Sequence, residues 1–195
     1  MKNVKTGKII VISAPSGAGK STICNAMIEN FKNLVYSISA TTRAPRKGEK
    51  DAREYFFISK EKFEKMLKQK AFAEWAKVHD NYYGTPKALL QKTINSGKNV
   101  LLDIDVCGAM QIKKCFPQAC LIFIKAPSLK ILKERLIKRG QDSPETIKIR
   151  LANAKAENTF IDKYDFVVVN DVLEESIFAV KTIIQALKYK VEKEI

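Results

Sequence analysis

K-I-I-V-I-S-A-P-S-G-A-G-K-S-T, residues Lys8 to Thr22, decides the fold of this chain. Its first half, Lys8 to Ser13, is β-branched and almost wholly apolar, which reads as a strand buried on both faces of a parallel sheet. Its second half, Ala14 to Thr22, is a glycine-rich turn, and helix-like sequence follows from Ile23 to Phe31. Strand, glycine loop and helix, in that order, are the context of a phosphate-binding loop. Gly17 and Gly19 let backbone N–H groups converge on phosphate oxygens, and the following helix offers its positive end. Lys20 supplies a mobile charge to the transferred phosphate, and Ser21 is the hydroxyl expected on Mg²⁺. The nucleotide cradle is thus Ala14, Pro15, Ser16, Gly17, Ala18, Gly19, Lys20, Ser21 and Thr22. Ala14 stands where the usual pattern has its first glycine, and its methyl is tolerated there if φ is negative. By itself the loop says nucleotide-binding protein, a class that spans motors, switches, transporters and kinases.

Working outward, similar apolar runs recur at Asn99 to Ile104, Cys120 to Lys125 and Asp165 to Asn170, each followed by helix-like sequence. The alternation argues an α/β, doubly wound, parallel-sheet core flanked by helices. Thr85-Pro86 and Ser143-Pro144 each place a capping hydroxyl before a proline suited to the first helical position. Asp171 with Glu174 resembles a capping box. From about Val172 the residues Leu173, Ile177, Val180, Ile184 and Leu187 form one apolar stripe at helical spacing, expected to pack on the sheet.

Two stretches break the alternation. From about Val35 to Val78 the chain has short alternating segments, loops rich in Arg, Lys and Glu, and one brief helix from about Lys60 to Lys70, which reads as an inserted α+β subdomain. From about Ser128 to Thr159 it is helical and strongly charged, with Gly140 breaking two helices, which reads as a mobile lid.

Composition narrows the function. At 195 residues, 46% of them apolar, the chain suits one domain with insertions. No apolar run approaches the roughly 18 residues that span a bilayer, and the four-residue run after the basic start is too short for a secretory signal, so a cytoplasmic protein is expected. Cys24, Cys107, Cys115 and Cys120 form no C-x-x-C pair and read as reduced structural thiols, while His79 is the single histidine and reads as structural. The formal charge is +14 from 35 Lys plus Arg against 21 Asp plus Glu. The cations are overwhelmingly lysines, scattered without a stripe, so a nucleic-acid function is not expected although salt-sensitive binding could coexist. The few arginines include Arg43, Arg46, Arg135, Arg139 and Arg150, where a planar fork would suit phosphate.

Beyond the loop come S-I-S-A-T-T-R-A-P-R-K-G-E (Ser37 to Glu49), E-W (Glu74, Trp75), Y-Y-G-T (Tyr82 to Thr85) and D-I-D (Asp103 to Asp105). With the phosphate loop, this series resembles the guanylate kinase family over nearly the whole chain. That family commonly accepts alanine at the Ala14 position. The resemblance implies γ-phosphoryl transfer from MgATP to GMP, and to dGMP, giving ADP and GDP. It also implies one domain in three parts: a core at about 1–37, 90–127 and 160–195, a GMP-binding insertion at about 38–89, and a lid at about 128–159.

The residues carry chemical reasons for this reading. Guanine offers O6 as acceptor and N1–H and N2–H₂ as donors, so Glu74 and Asp105 can accept while Ser39 and Thr85 can donate. Adenine reverses the O6 and N1 pattern and would leave Glu74 facing a lone pair. Arg43, Arg46, Tyr55 and Tyr83 are expected on the GMP phosphate, the tyrosines chiefly through the resemblance, and Tyr82 is expected to pack. Asp103 ends a buried strand, and the family reading places it near the hydrated magnesium beside Ser21; a helix cap is its plainer alternative. Arg135, Arg139 and Arg150 would swing in with the lid, with Lys20 and Arg43 neutralising the transferring group. Asn170 and Asp171 resemble the family's adenine-side segment. Two other functions stay open on sequence alone: a ribose 1,5-bisphosphate kinase of similar architecture, and a non-catalytic guanylate-kinase-like interaction module.

Overall fold

The computed structural model describes residues 6–189. Its strands are β1 (Ile9–Ser13), β2 (Leu34–Tyr36), β3 (Ala40–Thr41), β4 (Phe56–Phe57), β5 (Phe72–Val78), β6 (Asn81–Pro86), β7 (Asn99–Asp103), β8 (Cys120–Lys125) and β9 (Phe166–Val169). Its α-helices are α1 (Lys20–Asn30), α2 (Lys60–Lys68), α3 (Lys87–Asn95), α4 (Val106–Cys115), α5 (Leu129–Arg139), α6 (Pro144–Glu157) and α7 (Leu173–Ala186).

The central sheet has the order β2-β7-β1-β8-β9, and every pairing in it is parallel. Every residue of β1 is buried. Alternate side chains leave a strand on opposite faces, and here both faces are covered. Ile10 and Ile12 pack with Ile23 and Met27 of α1 and Val180 and Ile184 of α7. Ile9 and Val11 pack with Leu90 and Ile94 of α3 and Ala109 and Ile112 of α4. Two-sided cover is the reason the run is apolar throughout rather than alternating, and the expected α/β class holds.

A second, four-stranded sheet has the order β4-β3-β6-β5, with β3–β4 parallel and the other pairs antiparallel. Phe63 of α2 seals it, stacked on Phe72 at 4.3 Å and on Tyr82 at 5.2 Å between ring centroids. Tyr82 therefore packs, as expected. At the tip of the β5–β6 hairpin His79 adopts φ 53, a turn conformation consistent with a structural role.

Helices α5 and α6 are separated as the sequence suggests. Gly140 ends α5 at φ 65, and Ser143 caps α6 by accepting from the Thr146 N–H at 3.2 Å with Pro144 in the first turn. Leu132, Leu136, Ile147 and Ala154 form a small apolar cluster with Ala18 of the glycine loop and Ala126. The helical pair is thus packed directly on the glycine loop.

Several local expectations are corrected. Thr85 caps no helix: Pro86 is the cap residue of α3, which begins at Lys87, because the Thr85 hydroxyl is engaged by a side chain across the hairpin. Asp171 and Glu174 form no capping box; α7 begins at Leu173 behind Val172, without a side-chain cap. The run Asp165 to Asn170 is strand only over Phe166–Val169, and as the edge of the sheet it leaves Phe166, Val167 and Val169 exposed rather than buried on both faces. The helix expected to Lys70 ends at Lys68, followed by a left-handed Lys70 at φ 53. The four cysteines are free thiols, with Cys24 and Cys120 buried. No described helix is long and apolar enough to cross a membrane.

Candidate active site

The glycine loop lies between the carboxyl end of β1 and the start of α1. Gly17 and Gly19 adopt φ 90 and 94, conformations that disfavour any side chain. A Cβ on Gly19 would also overlap the Asn170 amide, and one on Gly17 would press within 2.9 Å of Leu136. Ala14 is absent from the positive-φ residues, so its methyl is accommodated as required. The first turn of α1 has neither a side-chain cap nor an acidic residue, leaving its N–H groups and positive end to an anion. Asn170, buried, donates to the Ala18 carbonyl at 2.8 Å and braces the loop from β9's end.

Lys20 opens α1 and forms an ion pair with Asp103 at 2.5 Å, both side chains mostly shielded from solvent. Asp103 ends β7 as the register partner of Ile12 in β1, and the glycine loop that follows β1 returns Lys20, at the start of α1, to its carboxylate. The helix-cap alternative for Asp103 belongs instead to Asp105, whose Oδ1 accepts the Gly108 N–H at 2.8 Å at the start of α4. Ser21 follows Lys20 on α1 with an exposed side chain.

The second sheet carries the remaining predicted residues. Glu74 and Thr85 are register partners in β5 and β6, and the Thr85 hydroxyl donates to Glu74 Oε1 at 2.5 Å. Ser39 lies 3.3 Å from Thr85 through their hydroxyls. Glu74 is 6% exposed, and a Cβ on Gly108 would come within 3.2 Å of its other oxygen. The missing side chain lets α4 approach the carboxylate. Burial first, and the Asp105 charge with it, hold the Glu74 carboxyl above the usual range, against the Thr85 hydrogen bond.

Arg43 makes a two-pronged pair with Glu49 at 2.9 Å on each arm, and its guanidinium lies over the Tyr55 and Phe57 rings. Glu49 raises the affinity of Arg43 for its proton, and Arg43 in turn holds the Glu49 carboxyl below the usual range. Arg46 gives its backbone N–H to Glu49 at 2.7 Å, and its side chain is exposed. Tyr55 and Tyr83 meet edge to face at 5.9 Å. Glu49 is the hub of this loop, yet the sequence assigned it no role beyond membership of a motif.

A pocket lined by Tyr36, Ser39, Glu54, Tyr55, Thr85 and Asp103 joins the two sheets. Tyr36 and Glu54 escaped the sequence reading, because an aromatic at a strand end and a glutamate in a charged loop have ordinary local explanations. The three helical arginines have different partners. Arg150 donates to Ser16 of the glycine loop and to Asp142 at 3.0 Å. Arg135 reaches the Asp171 carbonyl at 3.3 Å, while Arg139 turns to Asp142 at 3.4 Å and not to the loop. Asp142, 6% exposed at its side chain, was also missed.

Residues 6–187 match the family model described as guanylate kinase. The chain is 48% identical over 189 residues to a guanylate kinase of Caldanaerobacter subterraneus subsp. tengcongensis, covering 97% of this chain and 92% of that one. It is 44% identical to one of Clostridium perfringens, covering 96% and 87%. The crystal structure of guanylate kinase from Anaplasma phagocytophilum is similar at a TM-score of 0.74 and 34% identity, over 96% of this chain and 89% of that chain.

Proposed function

Since the chain belongs to the guanylate kinase family, we propose that it is an ATP:GMP phosphotransferase, moving the γ-phosphoryl group of MgATP to GMP and to dGMP and forming ADP and GDP. The observation that carries this reading is the buried Glu74 carboxylate clamped by the Thr85 hydroxyl beside Ser39. A carboxylate acceptor, aimed by the one proton of the Thr85 hydroxyl, complements the N–H donors of the guanine edge and opposes adenine's lone pair. Asp105 adds negative charge on the same side.

Arg43, Arg46, Tyr55 and Tyr83 would hold the GMP phosphate, Arg43 pre-set by Glu49 so that little ordering remains on binding. Ala14 to Thr22, with the open helix end behind them, would hold the ATP phosphates, and Asn170 and Asp171 would border the adenine. Lys20 would leave Asp103 for the transferring group, and Arg150, already against Ser16, would bring lid charge to it, with Arg135 and Arg139 following. Phosphoryl transfer asks for alignment and charge stabilisation rather than covalent chemistry.

Magnesium fits these residues. Mg²⁺ takes hard oxygen ligands, one or two from protein and the rest from phosphates and water. The hydroxyl of Ser21 and the carboxylate of Asp103 supply that set, and among the described residues no group of three acidic, histidine or cysteine side chains competes as a metal cage. Bound there, the ion would supply positive charge against that of the phosphates. The GMP-binding role of the small sheet and the lid role of α5 and α6 belong to the same proposal, as does a cytoplasmic setting, which the free thiols suit.

Neither a ribose 1,5-bisphosphate kinase nor a non-catalytic module is favoured by any feature of the site. The test is ADP formation in MgATP with GMP, dGMP, AMP, UMP, dTMP or ribose 1,5-bisphosphate as sole acceptor, with an EDTA control. A metal-dependent response confined to GMP and dGMP is expected; ADP formed with ribose bisphosphate alone discards the guanine assignment, and none with any acceptor discards the enzyme.

A further inference from the structure

We infer that Tyr36 is a positioning residue: its phenol holds the Asp103 carboxylate in place when Lys20 departs for phosphate. The inference rests on the reading of Lys20 as a phosphate ligand.

Tyr36 ends β2, and its register partner Leu101 lies two residues before Asp103 on β7. Side chains two apart on a strand share a face, so Tyr36 and Asp103 project to the same side of adjacent strands and line one pocket. There the phenol and the Asp103 carboxylate face the same space, and a phenol O–H is a neutral donor suited to a carboxylate. At 45% exposed, Tyr36 contributes little to the core, and packing does not explain an aromatic there.

Asp103 thus has two partners of different kinds. One is Lys20, at 2.5 Å, a flexible cation that the ATP phosphates compete for. The other is a neutral donor fixed to a strand end. Removing a cation from a shielded carboxylate is costly unless another donor remains. Tyr36 is that donor, so it lowers the cost of freeing Lys20. Without it, Lys20 is held more tightly by Asp103, and a phosphate chain must compete harder for the ammonium.

The experiment measures ATP binding in EDTA by calorimetry, which needs neither metal nor turnover. Four proteins are compared: the parent, Tyr36→Phe, Asp103→Asn and the double variant. Tyr36→Phe keeps the ring, and unchanged circular dichroism and Tm verify folding. Expected is a three- to tenfold weaker ATP affinity for Tyr36→Phe in the parent background and no effect of the same change in the Asp103→Asn background, where Lys20 is already free. Steady-state kinetics should show kcat lowered with the KM for GMP within about twofold of the parent. An unchanged ATP affinity for Tyr36→Phe overturns the inference, and so does an equal loss in both backgrounds, which marks a general packing effect. If the parent itself fails to bind ATP, the phosphate-loop reading falls and takes this inference with it.

Discussion

Glu74 and Thr85 face each other across the β5–β6 hairpin and share a hydrogen bond of 2.5 Å, which fixes the one buried carboxylate of the small sheet. Thr85 has no freedom to cap α3 because this bond claims its hydroxyl. Replacing Thr85 with Val keeps the shape and deletes the donor. The expected result is a rise in the KM for GMP of about tenfold, the order of a lost hydrogen bond to a charged group, with a smaller effect on kcat. An unchanged KM would remove Thr85 from the guanine pocket.

Stability and recognition should respond to Glu74 in opposite directions. Its carboxyl lies above the usual range, mainly through burial, so the folded protein binds the proton more tightly than the unfolded chain does. The associated stability is fully present below the unfolded value and is lost as pH rises through the raised folded value. In its ionised form Glu74 is therefore a net burden on the fold. Glu74→Gln, which removes the buried charge and keeps an acceptor oxygen for Thr85, should raise Tm of the unliganded protein. The same variant should lose at least about a hundredfold of GMP-over-AMP selectivity. Since guanine N–H donors need the ionised form, the parent's KM for GMP should climb as pH falls through the raised folded value of Glu74, while that of Glu74→Gln stays flat. Thermal melts and kcat/KM profiles against pH read both arms.

Lys20 should govern rate more than binding. It is the first residue of α1, directly after the glycine loop, and its ammonium pairs with Asp103. Lys20→Ala is expected to lower kcat by about 10²–10³-fold, as for loss of one preorganised charge-stabilising donor, with the KM for GMP little changed. A variant that retained kcat and lost only ATP affinity would assign Lys20 to ground-state binding.

How far these features could be read in advance depended on whether a residue's partner is local. The run Lys8 to Ser13 and the loop after it were legible because burial on both faces and a glycine-dependent turn each leave a compositional mark. Phe166 to Val169 carries the same apolar mark and was misjudged, since nothing in four residues says whether a strand lies inside a sheet or at its edge. Thr85 was legible as a hydroxyl with a task but not as to which, because the competing partner sits eleven residues back, across a hairpin. Tyr36, Glu49 and Asp142 act through Asp103, Arg43 and Arg150, and such pairings exist only once the chain has folded.

Glu49 offers a separate test of the loop it organises. It accepts both arms of Arg43 and the Arg46 N–H, so one carboxylate sets both arginines. Glu49→Gln cannot pair with the guanidinium as a counter-ion and should raise the KM for GMP by about tenfold. The KM for ATP should stay within about twofold, because no contact of Glu49 reaches the glycine loop. Equal losses for both nucleotides would indicate general disorder of the small sheet instead.

Asp142 ties α5 and α6 to the glycine loop through Arg150. Its carboxylate, nearly buried, receives Arg150 at 3.0 Å and Arg139 at 3.4 Å, and Arg150 in turn donates to Ser16. The Arg139 arm is 41% exposed on its cationic side and contributes little by itself. The Arg150 arm is more shielded and positions a guanidinium over the loop that would hold the ATP phosphates. Asp142→Ala leaves two arginines facing one another without a counter-charge, so Arg150 should lose its fixed direction. The expected outcome is a fall in kcat of about tenfold together with a higher KM for ATP and an unchanged KM for GMP. Asp142→Asn, which keeps one acceptor oxygen, should fall between that variant and the parent. Arg139→Ala should be close to neutral, since it removes only the exposed arm. If Asp142→Ala and Arg139→Ala behave alike, the direction of Arg150 is set by Ser16 and helix packing, and Asp142 has no part in aiming the lid.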